Sequence, residues 1–257
     1  MNNNSIRSRG GPPCPPFGKI NYFIIPLLIS LLCCGEGELD GDDADGGTDK
    51  DGGNAALDPD ADYMPMKAGN VWKYEAVYSA GKVLTKELEG SQKIPDDEDK
   101  RSAFKLVRTE SDDPEDLRHT YIGMENGDYV RYRKEWYNAG ALKAVKVYTP
   151  YFLRIDFSQM KTGGSWKAEF IRTDYDENGT NIGEIEKEYR YKVNSMDDPV
   201  EVGDETVHCV KITRTDITDG DVKTFWFADG IGKVKEIGTE TDDPDEEHEL
   251  LIEYTVN

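Results

Sequence analysis

From Tyr63 onward, the large apolar residues of this 257-residue chain return at every second position, in short runs separated by turn residues. A period of two puts alternate side chains on opposite faces of an extended strand, whereas an amphipathic helix requires a period of 3.6. Val71-Trp-Lys-Tyr-Glu-Ala-Val-Tyr78 alternates, Ser79-Ala-Gly81-Lys82 turns, and Val83-Leu-Thr-Lys-Glu-Leu88 returns. The same reading places strands at 103–108, 119–123, 129–133, 142–148, 166–171, 186–193, 205–213, 223–227, 232–237 and 249–255. No segment carries a helical stripe over ten or so residues, so a fold built on packed helices is disfavoured. The expectation is a mainly β, antiparallel protein.

The strands also repeat as a set. Met66-Lys-Ala-Gly69-Asn-Val-Trp72-Lys73 returns as Met160-Lys-Thr-Gly163-Gly-Ser-Trp166-Lys167. Phe104-Lys-Leu-Val-Arg-Thr-Glu110 is echoed by Val210-Lys-Ile-Thr-Arg-Thr-Asp216, and the block Thr120–Arg131 by Thr224–Lys235. The offsets are 94, 106 and 104 residues, in one order. Two related halves, about 63–157 and 158–257, are therefore expected to pack together and cover each other's apolar faces. One curved sheet, an open barrel or a sandwich would each satisfy that pattern. Two copies are too few for a solenoid.

The first 33 residues have another character. Arg7, Arg9 and Lys19 precede an apolar run from Tyr22 to Cys34, 13 residues long and interrupted by Pro26. A spanning helix needs about 20 apolar residues. A basic n-region and short apolar h-region ending at a cysteine read instead as a secretory signal, residues 1–33, whose removal leaves a lipid-modified Cys34. Leu31 and Leu32 suit the approach to such a cysteine. Cys33 stands where Gly, Ala or Ser is usual, which makes it the alternative attachment point. Residues 34–62 hold Asp, Gly, Glu and Ala with almost no large apolar residue, and read as a disordered acidic tether.

The chain carries a net charge of −21, which becomes −24 once the three basic residues of the signal are gone. A field of that sign repels nucleic acid and anionic lipid surfaces. The expected partners are the membrane, through fatty acyl chains such as palmitate, and an envelope protein, lipid or glycan. Gly35 after the lipid cysteine is not the Asp of an inner-membrane retention signal, so the outer membrane is the expected destination. Signal removal leaves Cys209 without a disulfide partner, and within Val207-His-Cys-Val210 it reads as a small core residue.

Few residues suggest chemistry. In each copy of the first repeat a Gly stands three residues before a Trp. Trp72 and Trp166 read as core anchors of a new strand, or as a pair of ligand-stacking rings. Asp174-Tyr-Asp176-Glu-Asn178-Gly179 has the spacing of the first half of an EF-hand loop, but the twelfth position is Ile185 and flanking helices are missing. Asn178-Gly179 between strand-like runs signals a hairpin, with at most weak cation binding at Asp174, Asp176 and Asn178. His119, His208 and His248 are far apart in sequence, and His208 and Cys209 fall on opposite faces of one strand. No nucleophile elbow, P-loop or dinucleotide fingerprint is present. Neither catalytic residues nor a cofactor are expected.

Tyr63-Met-Pro-Met-Lys-Ala-Gly-Asn-Val-Trp-Lys-Tyr74 resembles the opening of a broad group of poorly characterised bacterial lipoproteins, whose mature domain begins Tyr-Phe-Pro-Leu-x-x-Gly-x-x-Trp-x-Tyr after a low-complexity tether. Asp204-Glu-Thr-Val-His-Cys209-Val-Lys-Ile212 resembles their Gly-Thr-Phe-x-Cys-x-Lys-Val segment, with Asp204-Glu205 replacing Ala-Gly. Trp226-Phe-Ala-Asp-Gly230-Ile-Gly232-Lys-Val-Lys235 resembles their closing Trp-x-Ala-x-Gly-Val-Gly-x-Val-Lys. The resemblance covers 63–74 and 203–237 and implies an antiparallel β fold on a lipid-anchored protein, with no reaction attached. Three functions follow in order: a noncatalytic binding or scaffolding protein of the cell envelope, a lipid or lipoprotein carrier with an apolar cavity, and an enzyme of unknown type.

Overall fold

A computed structural model of the protein describes residues 61–76, 81–238 and 248–257. The expected signal and most of the expected tether, with Cys33 and Cys34, lie outside the described residues. Twelve strands follow one another: β1 (Val71–Ala76), β2 (Val83–Lys93), β3 (Ser102–Glu110), β4 (Leu117–Glu125), β5 (Asp128–Asn138) and β6 (Ala141–Ile155). After a short 3-10 turn at Phe157–Gln159 come β7 (Ser165–Asp176), β8 (Asn181–Val202), β9 (Glu205–Asp216), β10 (Val222–Ala228), β11 (Gly232–Gly238) and β12 (Glu249–Thr255). Each strand pairs antiparallel with its sequence neighbours, and β12 pairs with β1, so the meander closes into a barrel. The expected antiparallel β fold is thus present as one curved sheet, closed into a ring without free edges.

Every strand read from the alternation is present, and several run further than the alternation does. β6 continues through a cis Thr149–Pro150 bond to Ile155. β8 spans 22 residues, with register shifts between Val193 and Ser195 and between Ser195 and Asp198. Bulges of this kind add a residue, break the period of two and bend the strand, which is why the pattern faded there.

The repeated blocks fall on β1 and β7, on β3 and β9, and across β4–β5 and β10–β11. Each pair is six strands apart in a ring of twelve, so the copies stand on opposite walls and run the same way. The backbone bonds repeat too. Gly69 N–H donates to Leu88 O at 2.8 Å and Leu88 N–H to Asn70 O at 2.8 Å, while Gly163 N–H donates to Val193 O at 2.9 Å and Val193 N–H to Gly164 O at 2.8 Å. Gly69 and Gly163 sit at φ +88° and +79°, a region glycine enters without penalty.

One end of the barrel is crossed by the segment before β1. Asp62 donates its N–H to Asp229 Oδ1 at 2.6 Å and accepts from Gly230 N–H at 2.9 Å, and Asn70 Nδ2 donates to Pro65 O at 2.9 Å. The strap so formed lies over a core of Trp72, Leu88, Ile122, Met160, Val193 and Phe227. A smaller cluster, Ile94, Ala103, Tyr121, Val130 and Tyr132, packs outside the wall, where Arg101 stacks over Tyr132 at 4.9 Å. Elsewhere the outer face mixes ion pairs with exposed isoleucines such as Ile171, Ile185 and Ile252. Lys73 pairs with Glu253, and Lys167 with Glu169 and Glu188, all partly or fully open to water.

Candidate functional site

An eight-stranded barrel is just filled by its own inward side chains, and a wider one needs larger side chains or keeps a lumen. This ring of twelve does both. Near the strap the inward residues are bulky and apolar. Towards the other end the same faces turn charged: Leu88 gives way to Lys86 in β2, Leu106 to Arg108 and Glu110 in β3, and Ile122 to Thr120 and Arg118 in β4. Val234 gives way to Glu236 in β11, and Leu251 to Glu249 in β12.

Two adjoining chambers of about 80 Å³ each lie where these layers meet. The first, under the strap, is walled by Met64, Pro65, Met66, Trp72, Tyr74, Leu88, Ile122, Tyr129 and Phe227. Lys86, Leu106, Arg131, Arg154 and Lys233 line both chambers. The second adds Arg108, Arg118, Thr120, Lys134, Glu236 and Glu249. Around the two together stand seven cations and two carboxylates. The interior therefore has the opposite sign to a chain whose net charge is −21.

The carboxylates are closely held. Glu249 meets Lys86 at 2.5 Å and Lys233 at 2.6 Å, and Glu236 meets Lys233 at 2.5 Å and Lys223 at 3.9 Å. Burial opposes ionisation of Glu249, but Lys233 and Lys86 outweigh it and hold the carboxyl at about 2. Burial pushes the Lys86 ammonium down to about 7 against the pull of Glu249, with Lys233 and Arg108 adding to the push. Behind them Glu110 takes Lys82 at 2.5 Å, Arg108 at 2.7 Å and Arg118 at 3.5 Å.

The opposite wall is aromatic and arginine-rich. Phe152 packs on Phe170 at 4.5 Å and on Tyr189 at 5.2 Å. Arg154 lies over Phe152 at 5.1 Å and Phe225 at 5.4 Å, and Arg214 over Tyr189 at 4.5 Å and Phe225 at 5.5 Å. Burial, and after it the charge of Arg131, push the Arg154 guanidinium below its ordinary value.

Among the residues singled out from sequence, Trp72 lines the chamber under the strap, with its Nε1–H donating to Ile231 O at 2.6 Å. Trp166 stacks on Tyr191 at 4.8 Å inside the barrel wall and does not line either chamber. Both rings are buried. Asp174 accepts from Arg172 at 3.0 Å, and Asp176 Oδ1 accepts the Asn178 and Thr180 N–H groups at 2.8 Å, which ties it into the β7–β8 hairpin turn. Among the described residues no group of three His, Cys, Asp or Glu side chains is placed to hold a metal. Cys209 is buried, and burial pushes its thiol up to about 12; His208 points outward from the same strand to Asp197.

The inward cations are not among the residues that the motifs pick out, although the sequence carries a signal for them. Arg108, Arg131, Arg154 and Arg214 each stand two residues from an inward apolar or aromatic residue, in the phase of the core rather than of the surface. Lys and Arg are mostly exposed in folded proteins, so alternation alone does not mark these as facing inward.

No protein family model matches the chain, and no curated protein matches it in sequence. Among solved structures it is similar to a proposed exported protein with a YmcC-like fold from Bacteroides fragilis, at 12% identity and a TM-score of 0.38, over 76% of this chain and 99% of that one.

Proposed function

We propose that this chain is a noncatalytic binding protein of the cell envelope, moored by fatty acyl chains at Cys34, and that its working site is the barrel lumen. One observation carries the reading: a chamber apolar on its strap side shares a basic wall with a cation-lined one inside an otherwise acidic protein. A stable fold gains little from gathering like charges in its interior, because each must be desolvated. Perturbed, buried charge around a cavity is the usual sign of a ligand site. The short apolar run ending at Cys34, and the resemblance of 63–74 and 203–237 to bacterial lipoproteins, support the envelope placement. Gly35 favours the outer membrane.

The carrier reading stands second. Pockets for drug-sized ligands measure roughly 300–1,000 Å³, and the chambers here are smaller and half basic. They suit a small ligand better than the chains of a whole lipid. Native mass spectrometry of the mature protein purified without detergent tests the binding role: a small molecule retained by the folded protein and released on unfolding is expected, and a bare protein mass after incubation with envelope extract refutes it. Labelling with radioactive palmitate tests the anchor. Label is expected to vanish in C34S and to persist in C33S; the reverse result would move the attachment to Cys33.

A further inference from the structure

Arg154 lines both chambers, and its guanidinium makes no hydrogen bond or close ion pair with any described residue; it lies over the Phe152 and Phe225 rings and feels the charge of Glu236 only at longer range. A guanidinium carries five N–H donors and stays charged inside proteins. Keeping one in an interior with no anion in hydrogen-bond contact is costly to a fold. Aromatic faces offset part of that cost but accept none of the five hydrogen bonds. The nearby carboxylates are already engaged, Glu249 by Lys86 and Lys233 and Glu236 by Lys233. Arg131 shares both chambers with Arg154 and adds positive charge at the same place.

We propose that the lumen binds a small oxyanion with a short apolar group, a carboxylate or a phosphate monoester, its head at Arg154 and its tail in the chamber beneath the strap. This rests on the reading of the lumen as the binding site and adds the class of ligand. The orientation follows from the walls. Trp72, Met66, Ile122 and Phe227 offer the tail the apolar side of a chamber that no carboxylate lines. Arg154 and Arg131 stand where the two chambers meet, within reach of a head group entering the basic side. The guanidinium fork matches the two oxygens of a carboxylate or phosphate edge. A volume of about 80 Å³ per chamber holds a tail of a few carbons.

Calorimetric titration of the mature protein with hexanoate, hexyl phosphate, hexanol and hexylamine tests the proposal. At least one of the two anions is expected to bind about tenfold or more tighter than hexanol, with hexylamine weakest. Which anion wins identifies the head group. R154M is expected to weaken binding of that anion about tenfold or more and to leave hexanol within about twofold. Because methionine fills similar space and removes an uncompensated charge, R154M should fold and melt no lower than wild type. If it does not fold, the wild-type series alone decides. Hexanol binding as tightly as both anions, or wild-type anion affinity in R154M, overturns the ligand class while the binding reading stands. Failure to bind any of the four, together with a bare native mass spectrum, overturns both.

Discussion

On the outer wall Glu135 accepts from Arg133 Nε at 2.7 Å, Tyr137 Oη at 2.9 Å and Tyr121 Oη at 3.3 Å, with His119 Nδ1 at 3.6 Å. Burial alone would raise its carboxyl, but His119, Arg133 and Tyr137 overcome that and hold it at about 2, against an ordinary 4.5. The folded value lies below the unfolded one. Its contribution to stability is therefore complete above the ordinary value and lost as pH falls from there towards about 2. E135Q should cost about 1–3 kcal/mol near neutral pH. Its urea midpoint should also fall less than that of wild type as pH drops through that window. Equal pH dependence in the two proteins would show that another carboxylate carries the acid sensitivity. Arg154 is the counterpart inside the ring: Glu135 has its hydrogen-bond partners built in, and the guanidinium has aromatic faces instead. Neither was legible in sequence. Glu135 stands among Arg133, Lys134 and Trp136, and nothing in the alternation says that the tyrosines of two neighbouring strands close over it.

The elements show how far the duplication persists and where it broke. Gly69 and Gly163 keep the same turn, but the next residue differs: Asn70 in the first half, Gly164 in the second. Asn70 is fully buried and joins three chain segments, donating to Pro65 O and accepting from Asn257 N–H at 3.0 Å. At Gly164 a Cβ would run into the Gln159 carbonyl oxygen of the 3-10 turn, so no side chain fits there. G163A meets no neighbour, and its cost is the positive φ alone, about 1–2 kcal/mol. G164A should lose clearly more than G163A in chemical denaturation, although glycine 163 has the more unusual backbone. The opposite order would mean that the 3-10 turn gives way to the added carbon. The strand positions and the doubled plan were readable here because alternation and repetition are local properties of the chain. The divergence at Gly164 was not, because it depends on a turn that packs against it only in the fold.

At the scale of the molecule, closure rests on β12, which binds β1 along its whole length but β11 through only two residue pairs. Ending the chain at His248 removes β12 and leaves β1 and β11 with unpaired edges, while the lumen loses Glu249. Exposed edges pair with other chains. The truncated protein should therefore elute as dimers or larger species in light-scattering chromatography, where a stable monomer would show that the ring does not depend on its last strand. Charge is also organised at this scale, with acids prevailing over the whole chain and cations around the chambers. By itself the sequence determined the strands, their antiparallel run and the doubled plan, since a period of two and a repeated block survive without knowledge of any distant contact. Only the tertiary structure decided that the last strand meets the first, and that the charges in phase with the core face a lumen wide enough to hold them. Both are consequences of curvature, which sums small twists over twelve strands and leaves no mark in any short stretch of sequence.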